Sequence, residues 1–229
     1  MKKAFGSLIL LAIVVAIGAF MMGKFAFPNI EILATLPKPE VSEGERGQLG
    51  IDKNVNESTI DKYLNRSDSV YRDMRMLKDP GNYAAIGGDA MLSGIVKGFE
   101  VVPLPYLVNV TGLPEAVGST YTGKTLFTEK NGNYTANYEE SVSILENLFP
   151  KDKTIFLMCG GGGYAGMTKA LLVANGWDGD KIYDAGGYWF YEGENKIEIK
   201  RTREDGSIVY DFWKLAYHDI DFDMLTPKK

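Results

Sequence analysis

The feature that most constrains this fold is a short apolar run, 154–158, that passes straight into Cys159 and then four consecutive glycines, Gly160, Gly161, Gly162 and Gly163. Ile155, Phe156, Leu157 and Met158 suit a strand buried on both faces, and the stretch after Tyr164 carries Ala165, Thr168, Leu171, Leu172 and Ala174 at helical spacing, with Gly176 as its stop. Glycine loses more conformational freedom on folding than any other residue, so four in a row between a strand and a helix need a physical reason. Close backbone approach supplies one. A loop without Cβ atoms can turn successive N–H groups inward as an anion-binding nest, and the following helix adds the partial positive charge of its N-terminus. A cysteine there is expected to have a depressed pKa and to be nucleophilic near neutral pH.

The rest of the chain reads as an α/β domain around that unit. Residues 58–64 suggest a short helix capped by Ser58, 70–76 a strand, and 99–103 a buried strand. Residues 138–149 space Val142, Leu145, Leu148 and Phe149 along one helical face before Pro150. Residues 181–184 form another strand, leading to Gly186 and Gly187. Strands alternating with helices predict a central, mostly parallel sheet flanked by helices. Two hairpins are appended to it. One is an insertion turning at Asn131-Gly132; the other is a C-terminal extension, 194–229, pairing 196–201 with 208–213 across Asp205-Gly206.

Residues 1–23 predict a membrane anchor. Lys2 and Lys3 precede an uncharged, mostly apolar stretch, 4–22, close to the ~20 residues a spanning helix needs. The positive N-terminal flank places the following domain outside the cytoplasm. A cleaved secretory signal is the rival reading. Residues 24–57, bearing Pro37, Pro39, Glu43, Gly44 and Gly47, read as a linker with room for a short docked segment. The domain proper is then 58–193. A net charge of −5 gives no general reason to bind nucleic acid. With one cysteine and one histidine, neither an internal disulfide nor a Cys/His zinc site can form within the chain, and no cofactor or metal is expected. Nothing in the spacing brings His218 to Cys159.

Several ordered motifs between 68 and 193 resemble the rhodanese-like (sulfurtransferase) domain family. Asp73-Met74-Arg75 looks like the family's Asp-x-Arg signature, with Pro80 and Tyr83 as its Pro-x-x-Tyr segment. Gly94 through Gly98, leading to Pro103, is similar to its Gly-His-Ile-x-Gly block. The strand–Cys159–loop–helix unit resembles the active-site loop, and Gly186-Gly187 with Trp189 its terminal Gly-Gly…Trp region. The resemblance implies a Cys159 persulfide that takes sulfur from a small donor and gives it to a thiol acceptor. In it, Gly160, Gly161, Gly162, Gly163 and Tyr164 would hold the anion. Arg75 is expected to be a buried structural arginine paired with an acid such as Asp73 or Asp184 rather than a substrate ligand, since a buried charge requires a partner. Related phosphatases carry Arg at the sixth place after the cysteine. Here that place is Ala165, which removes the bidentate partner of a phosphate. This loop also lacks Arg and Lys, Tyr164 stands where Arg is common, and Ile95 replaces the block's histidine, so a less charged donor than thiosulfate is expected. The alternatives are a non-catalytic module that recognises an envelope protein partner and a redox sensor that oxidises the same thiolate.

Among the remaining residues, Lys169 is expected to face solvent, His218 to lie on the surface and Trp189 to join the core. Asp219, Asp221 and Asp223 are expected on a solvated edge rather than around Ca²⁺.

Overall fold

A computed structural model describes residues 34–42, 49–78, 89–109 and 121–229. The anchor expected over 1–23 and the Pro80–Tyr83 motif lie outside the described residues. Among those described, no helix is long and apolar enough to cross a membrane.

Four strands, β1 (Ser69–Asp73), β3 (Glu100–Val101), β6 (Thr154–Cys159) and β7 (Ile182–Gly187), form an all-parallel sheet in the order β3-β1-β6-β7. The domain is therefore α/β, with a parallel sheet and few helices. β6 is central, and its near-continuous apolar run reflects burial on both faces. Ile155, Leu157 and Cys159 face one core, with Leu145 and Leu148 of α3 (Ser141–Leu148) and Leu171 and Leu172 of α4 (Gly163–Ala174). Phe156 and Met158 face the other, with Tyr71, Tyr183 and Ile60. Two short helices, α1 (Asp89–Leu92) and α2 (Leu104–Leu107), lie between the early strands.

The insertion hairpin is as expected. β4 (Phe127–Lys130) pairs antiparallel with β5 (Asn133–Ala136), and Asn131 and Gly132 both take positive φ at the turn. The C-terminal pairing differs from expectation. β8 (Lys196–Glu198) pairs with β2 (Gly94–Val96), and only β9 (Lys200–Thr202) and β10 (Ile208–Tyr210) form the hairpin. The run 196–201 serves two partners because buried Ile199 turns the chain between them, its N–H donating to Ser93 O. Beyond the hairpin the extension binds the sheet edge. Val101 N donates to Ala216 O and His218 N donates to Val101 O. His218 is thus tied in rather than loose, its Nε2 lying 2.7 Å from Glu100 Oε2, which also accepts from Arg72 Nη1.

The described part of the expected linker is packed. Val41 bridges Asp52, Asp52 N donates to Asp184 O, and Ile51, Asp52, Val55 and Glu57 are buried. No periodic pattern marks this segment, because it packs as an irregular strap whose side chains enter one at a time. The short helix after it is a 3-10 turn, Ile60–Tyr63, with Thr59 rather than Ser58 at its cap. Asp219 and Asp223 pair with Lys78 and Lys124, and Asp221 caps a 3-10 turn by accepting from Asp223 N, which accounts for all three carboxylates without a metal. Among the described residues no His, Cys, Asp and Glu cluster suits a metal ion.

Candidate functional site

Cys159 ends β6 and is 3% exposed. Gly162 turns the chain with φ +104° and precedes α4, which begins at Gly163, two residues before its expected start. That turn is open only to a residue without Cβ. It brings the Gly162 N–H onto the sulfur, 3.1 Å from Sγ, and the Ala165 and Gly161 N–H groups also favour an anion there. Of the loop residues expected to hold an anion, Gly162 donates to the sulfur, whereas Gly160 turns its carbonyl to Trp189 N and the Tyr164 ring packs in the core with the sulfur.

The other side of the loop is closed by backbone and by Met91. The register of β6 on β7 slips between Leu157 and Cys159, so that Gly187 lies opposite Cys159. Gly186, with φ +79°, accommodates the slip. A Cβ on Gly187 would lie 2.1 Å from Gly160 O, and one on Gly160 would lie 2.4 Å from Met91 Cε. These contacts give the Gly186-Gly187 pair a purpose that spacing alone did not reveal: the two loops touch through their main chains. Trp189 stands at the rim, 39% exposed, contrary to its expected core position. Tyr188 and Tyr191 are buried instead, because the 3-10 turn Tyr188–Phe190 carries Trp189 and Phe190 outward.

Arg75 takes Asp73 as its acidic partner, and both are fully buried. Arg75 Nε and Nη2 donate to the Asp73 carboxylate, Nη1 donates to Met91 O at 2.6 Å and Nη2 to Gly94 O at 2.9 Å. The guanidinium also lies 4.6 Å from the Tyr188 ring centroid. This one side chain joins β1 to the segment that carries Met91 over the loop. Lys169 does not simply face solvent: its Nζ donates to Ile182 O.

The expected depression of the Cys159 pKa is reversed. Burial first, then the nearby Asp184 carboxylate, push the thiol from its ordinary 9.0 up to about 11, against the opposing pull of the Ala165, Gly162 and Gly161 N–H groups. The desolvation of the anion outweighs these neutral donors. A proton held more tightly in the folded chain stabilises it below the unfolded pKa, and that contribution fades as pH rises. Wild type should therefore lose roughly 2–3 kcal/mol relative to Cys159→Ser between about pH 9 and about pH 11. Denaturant unfolding of both proteins across that window checks the sign. Parallel curves would show that the thiol is not held protonated by the fold.

Ile51 and Glu57 from the strap were missed as neighbours of the site. Glu57 Oε2 lies 1.8 Å from where a Gly186 Cβ would stand, and Ile51 Cγ2 2.9 Å from that of Gly162. The only signal in the sequence was an isoleucine and an acid among polar residues, too little to place them there. No family model, curated protein or solved structure matches the chain.

Proposed function

We propose that 58–193 is a rhodanese-like module that carries sulfane sulfur as a persulfide on Cys159, held outside the cytoplasm by an anchor at 1–23. The observation that carries this reading is the Gly162 N–H bonded to the cysteine sulfur at 3.1 Å in a glycine-built strand-to-helix turn, where the Gly161 and Ala165 N–H groups also favour an anion. Such an array stabilises an anion at a fixed place, as an oxyanion hole does. The Cys159 thiolate attacks the outer sulfur of a small donor R–S–S⁻. The Sγ–S bond forms, the donor's S–S bond breaks, and RS⁻ leaves with the electron pair. An acceptor thiolate then attacks the outer sulfur of Cys159–S–S⁻, and Sγ leaves as thiolate. Sulfur atoms and electrons balance with no external oxidant.

With no Arg or Lys in the loop and Asp184 behind it, the site favours donors less charged than thiosulfate. The buried, protonated thiol means that the cradle at rest is closed, with Met91 over Gly160. Sulfur exchange requires that cover to move, which rehydrates the sulfur and removes the main cause of its raised pKa.

The same closure favours a second reading, a non-catalytic module that recognises a partner while Cys159 stays inert. Treatment with polysulfide followed by intact-mass measurement separates the two. Sulfur carriage predicts one labile sulfur atom per chain, faster uptake in Met91→Ala, and none in a folded Cys159→Ser. No adduct on wild type or on Met91→Ala would leave the inert module as the reading.

A further inference from the structure

Tyr164 occupies the last place of the loop and the second residue of α4. Its side chain is 3% exposed, and it packs in the same core as Cys159, Leu157 and Ala165. Its hydroxyl oxygen is fully buried and has no hydrogen-bond partner among the described residues. Buried hydroxyls are nearly always satisfied, and one left unpaired costs about 1–3 kcal/mol, so an orphan in the core that also holds the cysteine sulfur requires an explanation. Phenylalanine would fill the same volume without that cost.

Helical Cα–Cβ bonds tilt toward the helix N-terminus, so a side chain in the first turn of α4 leans toward the loop that holds the sulfur. The two groups are electrostatically coupled. Burial first, and then the charge of Cys159, push the Tyr164 phenol above its ordinary range. The phenol therefore holds its proton more tightly than usual, and a protonated phenol is a donor to any anion that appears within its reach. A neutral thiol is a weak acceptor and leaves that donor unused. An ionised sulfur does not, and the outer sulfur of a persulfide projects about 2 Å beyond Sγ.

Resting on the sulfur-carrying reading above, we infer that the Tyr164 hydroxyl is a side-chain donor that joins the main-chain N–H groups of the cradle, engaged only when the sulfur it holds is anionic. It stands where an arginine would hold an anionic donor. A phenol instead stabilises a sulfur anion without attracting a sulfonate, so this one residue both completes the site and selects against charged donors.

The test compares wild type with Tyr164→Phe in the full-length protein. Polysulfide-loaded protein is followed by intact mass for persulfide lifetime. In parallel, the lone cysteine is labelled with carbon-13 at Cβ and titrated by NMR. The substitution should shorten the persulfide lifetime about tenfold and reduce the thiolate population at a given alkaline pH by a similar factor, as loss of a hydrogen bond to a charged group does. The reduced variant should melt no lower than wild type, because the hydroxyl makes no bond at rest. Unchanged lifetime and unchanged titration overturn the inference, as does a clearly lower melting temperature of the reduced variant, which would reveal a resting partner. Failure of wild type to accept sulfur, combined with a Tyr164-dependent thiol titration, would discard sulfur carriage while keeping the tyrosine as the donor to the thiolate.

Discussion

Replacing Arg75 with Met is expected to destabilise the domain by about 3–5 kcal/mol, a large share of the roughly 5–15 kcal/mol that holds a domain of this size together. The cause is not lost attraction alone. Asp73 and Arg75 are both fully buried, so the substitution leaves the Asp73 carboxylate in a low-dielectric interior without its countercharge. It also strips the donors from Met91 O and Gly94 O. Urea unfolding should show an earlier midpoint with an unchanged slope. Alkylation of Cys159 at a urea concentration well below that midpoint should accelerate, because the segment that carries Met91 has lost its tie to β1. Replacing Asp73 with Leu in the same chain should recover part of the stability, since the unpaired charge is then gone, but not the slow alkylation. A midpoint unmoved by Arg75→Met would mean that the pair is solvated and that the cover is held by something else.

Gly187→Ala should have the largest effect on the site itself. The backbone at Gly187 is ordinary extended strand, φ −129° and ψ 137°, so alanine is acceptable there by conformation and the objection is purely spatial. Its Cβ would stand 2.1 Å from Gly160 O and 2.6 Å from Gly161 Cα. Those are main-chain atoms of the cradle, and they can yield only by moving the N–H groups away from the sulfur. Overpacking of this kind typically costs about 1–3 kcal/mol, so the sheet should survive while the cradle does not. The expected result is a folded protein with persulfide formation reduced about a hundredfold or more, in line with losing aligned oxyanion-hole donors. Gly160→Ala provides the contrast. Its Cβ meets the flexible end of Met91, which can swing aside, so it should be far milder. Equal effects of the two substitutions would show that the glycines serve the loop's own conformation and not its contact with β7.

Local elements were legible wherever periodicity or turn chemistry is decided within a few residues. β6, α3, α4 and the Asn131-Gly132 hairpin follow directly from apolar spacing and from glycine at positive φ. The strap at 49–57 was not legible. Ile51, Val55 and Glu57 are buried one at a time in an irregular segment, and no period records that. The split of 196–201 between two partners was hidden for a related reason: strand propensity says that a run will pair, but not with which edge. Trp189 shows the limit for single side chains, since a 3-10 turn rather than a strand decides which of four consecutive aromatics faces out.

Cys159 itself divides the two kinds of knowledge. Its place at the end of a buried strand, the glycine turn after it and the N–H groups that converge on it are consequences of contiguous residues, and the amino-acid order determines them. Its charge state is not. Desolvation and the field of Asp184 arise from segments far away in the chain that only the tertiary structure brings around the sulfur, and together they outweigh the local donors and hold the thiol protonated. Backbone geometry is short-ranged and can be read in order along the chain, whereas the energy of a buried charge sums over everything that surrounds it.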